Sequence, residues 1–161
     1  MNTYGYVYGN PIIYYDFYGL DKYYRYFPNG IPHAGAGDSP TSSYGRRPSA
    51  DSNMGITTIL PQVYVPAEVS KDPETGAVSV KVPMTKEQDI IFDACMLRNT
   101  INPSLYNARS RNCVDLVRDC FREAGIEIET ESMWPSSLYE ELRKKYGSET
   151  QSDSNCSGGC S

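Results

Sequence analysis

The segment running from Arg111 to Ile126 constrains this chain more than any other. Read at 100° per residue, Cys113, Val114, Leu116, Val117, Cys120, Phe121 and Ala124 share one arc. Asp115, Arg118, Asp119, Arg122 and Glu123 fill the opposite, polar arc. Asn112 is placed to cap this helix, with Asp115 three residues on as its capping-box partner, and Gly125 suits the position just past its end. A helix with so wide an apolar arc needs an apolar surface to rest on, and the rest of the chain must supply it. Cys113 falls in the first turn on the inward arc. There the unpaired N–H groups and the positive end of the helix dipole favour a thiolate, so this is where an enzyme would place a cysteine nucleophile. Taken alone, the helix is equally readable as a core element that begins with a packed cysteine.

Upstream, the chain reads as strands and turns. Residues 1–26 are rich in tyrosine, and Tyr4, Tyr6 and Tyr8 alternate as a strand would, before a turn at Asn10-Pro11. Residues 28–55 carry many glycines, prolines and serines and read as loop, with the single histidine of the chain in Ile31-Pro32-His33-Ala34-Gly35-Ala36-Gly37. The small residues after His33 would let an early strand pack closely against a neighbour. Thr57–Val65 reads as a strand broken by Pro61, Asp72–Gly76 as a turn, and Val78, Val80 and Val82 as an alternating strand. Thr85 and Gln88 form a capping box that opens a helix to about Asn99, burying Ile91, Ala94 and Cys95, with Ile90 and Phe92 as further candidates. Pro135 suits the first position of a last helix through Tyr146, closed by Gly147. Strands first and helices after predict an α+β fold, a small antiparallel sheet packed against about three helices.

Composition narrows the function. The chain has 161 residues, room for one ordinary domain with an appendage, and a formal net charge of −5. That balance argues against nucleic acid and anionic membranes as partners. No apolar run approaches the ~18 residues of a membrane span, and no basic-then-apolar signal peptide opens the chain. The five cysteines are not spaced as a disulfide framework. Cys95, Cys113 and Cys120 lie in helical patterns, and packing is the expected job of Cys95 and Cys120. Cys156 and Cys160 sit in a polar, low-complexity tail, residues 148–161, read as disordered. One histidine and no paired Cys-x-x-Cys imply neither a zinc site nor any other metal or organic cofactor.

A thiol that attacks a carbonyl needs a base, and the only histidine is His33, so Cys113 and His33 form the expected pair. For the group that orients the imidazole, Asp38, Asp51 and Asn53 all follow His33, and the sequence leaves the choice open. The backbone N–H of Cys113 is an expected oxyanion donor. Asn112 is a second candidate, although capping is the better account of it. Asp115 suits capping more than catalysis, and Tyr44 and Arg46 read as site-lining or as solvated loop.

Two resemblances extend this reading. Asn2-Thr3-Tyr4-Gly5-Tyr6-Val7-Tyr8-Gly9-Asn10-Pro11, followed by Asp16-Phe17-Tyr18-Gly19-Leu20, resembles the segment that closes Rhs/YD-repeat cores, with Phe17 where that family usually has proline. The resemblance implies that residues 1–20 end a shell, that residues 21–147 form a variable C-terminal toxin, and that the chain is delivered into a target cell by a secretion system. It further implies two partners, the encapsulating Rhs shell and a neutralising immunity protein. The second resemblance covers residues 31–146. His33-Ala34-Gly35 followed far downstream by Asn112-Cys113-Val114-Asp115-Leu116-Val117 is similar to the circularly permuted papain-like superfamily, which includes cell-wall amidases and lecithin–retinol-acyltransferase-like enzymes. It implies a cysteine hydrolase or acyltransferase acting on a protein, peptide or lipid. A toxin of other chemistry (a nuclease or an ADP-ribosyltransferase) and a noncatalytic binding module are the competing classes.

Overall fold

The computed structural model describes residues 21–50, 60 and 62–147. The Rhs-like segment, Asp51, Asn53 and the cysteine-bearing tail lie outside them. The described chain runs β1 (Lys22–Phe27), β2 (His33–Ser39), β3 (Ser42–Pro48), β4 (Ala67–Lys71), β5 (Val78–Val82), α1 (Lys86–Ile101), α2 (Cys113–Glu123) and α3 (Pro135–Tyr146). The strands form one antiparallel sheet in the order β4-β3-β2-β1-β5, so the strand that begins with His33 is central. The α+β expectation of a small antiparallel sheet with three helices holds.

The sheet corrects several details. The stretch 28–55, expected as loop, supplies the β2–β3 hairpin, with Ala36 paired to Tyr44, Ser39 to Ser42, and an irregularity of register between them. Of the strand expected over residues 57–65, residues 57–59 and 61 lie outside the described residues; Val65 makes an isolated bridge to Tyr106, and β4 follows at Ala67–Lys71. β1 lies in the tyrosine-rich segment and uses it at period two. Tyr24 is fully buried and donates its hydroxyl to the Pro135 carbonyl, and Tyr26 stacks on Tyr139, so this face of the strand meets α3. Arg25 and Phe27 lie on the opposite face.

The helices follow their sequence signals more closely. Both capping boxes form, Thr85 with Gln88 and Asn112 with Asp115, and Pro135 opens α3. Gly125 adopts φ +83° just past α2, where a side chain would be strained. Val114, Val117, Cys120 and Phe121 of α2 pack with Tyr24, Ala34, Ala36, Val80 and Val82 of the sheet and Leu138 and Leu142 of α3. Two features depart from expectation. In α1 only Phe92 and Cys95 are buried, whereas Ile90, Ile91 and Ala94 are exposed. In α2 the polar arc is not all solvated: Asp115 and Arg118 are buried and paired with each other, and Arg118 also donates to the Ser132 carbonyl. The segment after α2 folds back over that arc and converts it into an interior. Cys95 and Cys120, expected to be packed thiols, are joined as a disulfide between α1 and α2. Among the described residues no helix is long and apolar enough to cross a membrane.

Candidate active site

Cys113 is the first residue of α2 and is the free cysteine among the described residues, 4% exposed. Its position is fixed from three sides. Asn112 accepts from the N–H groups of Val114 and Asp115 and donates to the carbonyls of Ala108 and Met133. Asn107, fully buried, donates to the Leu60 and Val63 carbonyls and accepts from the N–H groups of Arg109 and Ser110, which sets the approach to the helix. Tyr106 closes the bridge to Val65 with backbone bonds of 2.7 and 3.0 Å. With both lone pairs and both amide hydrogens engaged, Asn112 is saturated as a cap and has no group left for an oxyanion. The Cys113 N–H is not used by that cap and remains the first-turn donor.

His33 opens β2. Its Nε2 lies 2.8 Å from Oδ1 of Asp72, whose side chain is fully buried. Asp72 in turn accepts from Ser43 Oγ at 2.7 Å and from Arg47 Nη2 at 2.5 Å. Burial alone would lower the His33 pKa. Hydrogen bonding to Asp72 and to Cys113, with the negative charge of each, outweighs it and raises the group to about 9. With Nε2 turned to Asp72, Nδ1 is the ring nitrogen left for a thiol. The structure thus brings His33 and Cys113 together from 80 residues apart (113 − 33 = 80).

The sheet makes room for this by omitting side chains. At Gly45 on β3, a Cβ would collide with Nε2 and Cε1 of His33 and stand 2.6 Å from the Ala34 carbonyl oxygen. At Gly35, two residues along the same face from His33, a Cβ would occupy the position of the Asp72 carboxylate. The imidazole and its carboxylate therefore lie directly on the backbone of the central strands, where neither can swing away.

Of the orienting candidates, Asp38 belongs elsewhere. It is on the other face of β2, paired with the Nζ of Lys22, which also holds Asp89 at 2.7 Å and Asp93 at 2.8 Å. These three carboxylates lie close enough to hold a cation, and the lysine ammonium is that cation. The sequence reading missed Asp72, which follows β4 in a segment marked as a turn. The signal that pointed to it was indirect: glycines at 35 and 45 inside strands imply that something bulky lies on that surface. Tyr44 is half-exposed in a groove beside Phe92, whereas Arg46 is buried, donates to Asn99 Oδ1 at 2.7 Å and lies within electrostatic reach of Cys113, Asp115 and Asp119. A buried thiol, an imidazole and a buried carboxylate in sequence can generate a nucleophile and return its proton. No protein-family model, curated protein or solved structure matches this chain.

Proposed function

We propose that the chain is a thiol hydrolase or acyltransferase with Cys113 as nucleophile, His33 as proton shuttle and Asp72 as the group that orients the imidazole. The observation that carries it is His33 held between the Asp72 carboxylate and the Cys113 thiol. A histidine raised to about 9 is an imidazolium at neutral pH, the form that follows transfer of the thiol proton. The Cys113 sulfur attacks an amide or ester carbonyl and forms the tetrahedral oxyanion, stabilised by the N–H of Cys113 and the helix dipole. His33 then gives its proton to the departing amine or alcohol, leaving an acyl-enzyme. Water, or an amine or alcohol acceptor, donates its proton to His33 as it attacks and releases the product. Peptidase, amidase, deamidase, transglutaminase and lipid acyl-hydrolase reactions all use these steps, and no cofactor enters them.

The resemblance of residues 1–20 to an Rhs closing segment, and of residues 31–146 to permuted papain-like enzymes, supports a wider reading. In it the chain is a secreted antibacterial toxin, delivered from an Rhs shell and neutralised by an immunity protein. The test expresses wild type, Cys113→Ala and His33→Ala, each exported to the oxidising periplasm, in a bacterium without the immunity protein. Growth arrest by wild type and growth of both variants are expected. Equal toxicity of all three would sink the thiol mechanism in favour of another chemistry.

A further inference from the structure

The Cys95–Cys120 disulfide is the covalent tie between α1 and α2, closing a sequence separation of 25 residues. α1 has little else of its own to hold it. Phe92 is its other buried residue, and Ile90, Leu97 and Ile101 are turned outward at 58%, 59% and 75% exposure. Met96 packs partly buried against the core, and polar ties join Asp89 and Asp93 to Lys22, Arg98 to Glu123, and Asn99 to Arg46. Asn99 stands one turn after Cys95 and is anchored to it, its Nδ2 donating to the Cys95 carbonyl at 2.9 Å and facing the Cys95 sulfur at 3.9 Å. Asn99 Oδ1 then receives the Arg46 guanidinium. Arg46 is 5% exposed and has an unpartnered buried Nε, and its charged neighbours include Asp115, Asp119 and Arg111. A line of contacts therefore runs from the disulfide through Asn99 to Arg46, on a strand that packs against the helix that Cys113 opens.

We propose that this disulfide arms the site: oxidised, it fixes α1 against the helix that begins with Cys113, and through Asn99 it fixes Arg46 on the adjoining strand; reduced, it releases both. The step balances as thiol–disulfide exchange. The Cys95 and Cys120 thiols give up two protons and two electrons to a protein or small-molecule disulfide, whose S–S bond is cleaved to two thiols as theirs forms. Cys113 stays reduced throughout. The armed state belongs to an oxidising compartment, where such bonds persist, and the reducing cytosol of the producing cell would keep the domain disarmed. The inference rests on the thiol reading of Cys113 for its functional half, whereas the stability half stands on the cross-link alone.

The experiment uses the purified chain, oxidised or reduced with a phosphine that is then removed, and reads two quantities. One is Tm. The other is the rate of iodoacetamide alkylation at Cys113, followed on its own peptide and divided by the rate in His33→Ala. Reduction is expected to lower Tm by about 10 °C, from the chain entropy released over a loop of this size. It is also expected to lower the alkylation ratio about fivefold or more. Asn99→Ala, with the disulfide intact, should lower the ratio while keeping most of the Tm. A ratio above one that neither reduction nor Asn99→Ala changes overturns the proposal and leaves the thiol reading standing. A ratio of one in the oxidised wild type sinks the thiol reading and the arming with it, and the Tm shift then reports the cross-link alone.

Discussion

Two buried charge clusters sit on opposite faces of the same sheet, and they are built to opposite ends. On the helix-facing side, the Lys22 ammonium is shared among Asp38, Asp89 and Asp93. On the other side, the single carboxylate of Asp72 is shared among His33, Arg47 and Ser43. The first has three anions for one cation, and burial, which by itself would lower the lysine pKa, is outweighed by those three partners, which raise it beyond any physiological titration. The second has one anion for two cationic side chains, one of them a histidine raised to about 9 and coupled to a thiol. A charge surrounded by excess counter-charge is locked. A histidine that shares its counter-charge and touches a nucleophile can exchange a proton. The difference separates a structural ion cluster from the one proposed to be catalytic, and each substitution below tests a side of it.

The largest effect is expected at Asp72. Asp72→Asn keeps the shape but removes the charge that holds His33 protonated and oriented. The catalytic rate behind growth inhibition should fall by a factor on the order of 10⁴, the loss seen when the carboxylate of such a triad becomes an amide, and Cys113 alkylation by about tenfold, because an unperturbed thiol is still a few per cent thiolate at neutral pH. Retention of wild-type rates would show that Asp72 belongs with Lys22 as structure. Next is Lys22→Met, which keeps the apolar stem and strands three carboxylates. Unfolding in urea should show a loss of about 3 kcal/mol, the lower end for a broken buried ion cluster, because Asp38 and Asp93 are largely exposed and can take up water. The alkylation ratio of the folded protein should not change.

How much of this was legible beforehand divides along the same line. The proposed nucleophile was readable because everything that marks it is local: Asn112, Cys113 and Asp115 mark a capped helix start within four residues, and the structure keeps all three in place. His33 was readable because it has no competitor in the sequence. Asp72 was not, since it lies 39 residues from His33 and its role arises only when β3 and β4 pair and carry it across Gly35. The disulfide was hidden for a similar reason. Neither the spacing of Cys95 and Cys120 nor their helical phase shows that α1 crosses α2 at that point; only the packed helices do. The outward isoleucines of α1 misled the pattern in the same way, because apolar spacing marks a face without saying which surface it meets. β3, with its Gly-Arg-Arg-Pro sequence, has weak strand propensity and is held by ladders on both sides.

Gly45 offers a finer test of the catalytic cluster. Gly45→Ala would push its methyl group into the imidazole ring, moving His33 off its line between Asp72 and Cys113. A displacement near 1 Å is expected to cost about 100-fold in the catalytic rate behind toxicity. Stability should fall as well, because the same methyl group would stand 2.6 Å from the Ala34 carbonyl oxygen on the neighbouring strand. An unchanged rate would mean that the ring position is not critical.

The pH dependence of stability separates the clusters without disturbing either one. The folded His33 pKa, about 9, lies above its ordinary 6.5, so its contribution is complete below about pH 6.5 and is lost as pH rises through 9. For Lys22 the shift is also upward but starts from 10.5, so its contribution persists across that window. Chemical denaturation from pH 6 to 9.5 should therefore show a decline on the order of 1–3 kcal/mol in wild type. His33→Ala should flatten that decline and Lys22→Met should keep it. A decline that survives in His33→Ala would assign the titration to another group.

The smallest effect is expected at Asp38, the residue that the sequence nominated for His33 and the structure gives to Lys22. Asp38 is the most exposed of the three carboxylates, its side chain at 75%, and Asp89 and Asp93 remain to hold the ammonium when it is neutralised. Asp38→Asn should therefore lower stability by less than about 1 kcal/mol, as for a pair open to solvent on one side. Its alkylation ratio at Cys113 should match wild type, because the residue lies across the sheet from the imidazole. A fall in that ratio comparable to the one in Asp72→Asn would mean that the two faces communicate through β2, and the division between locked and mobile charge would fail. A null result at Asp38 beside a large loss at Asp72 would instead show that an aspartate five residues from a catalytic histidine is less informative than one 39 residues away. The reason is the alternation of the strand, which sends residues 33 and 38 to opposite faces, while the pairing of β3 with β4 returns residue 72 to the first.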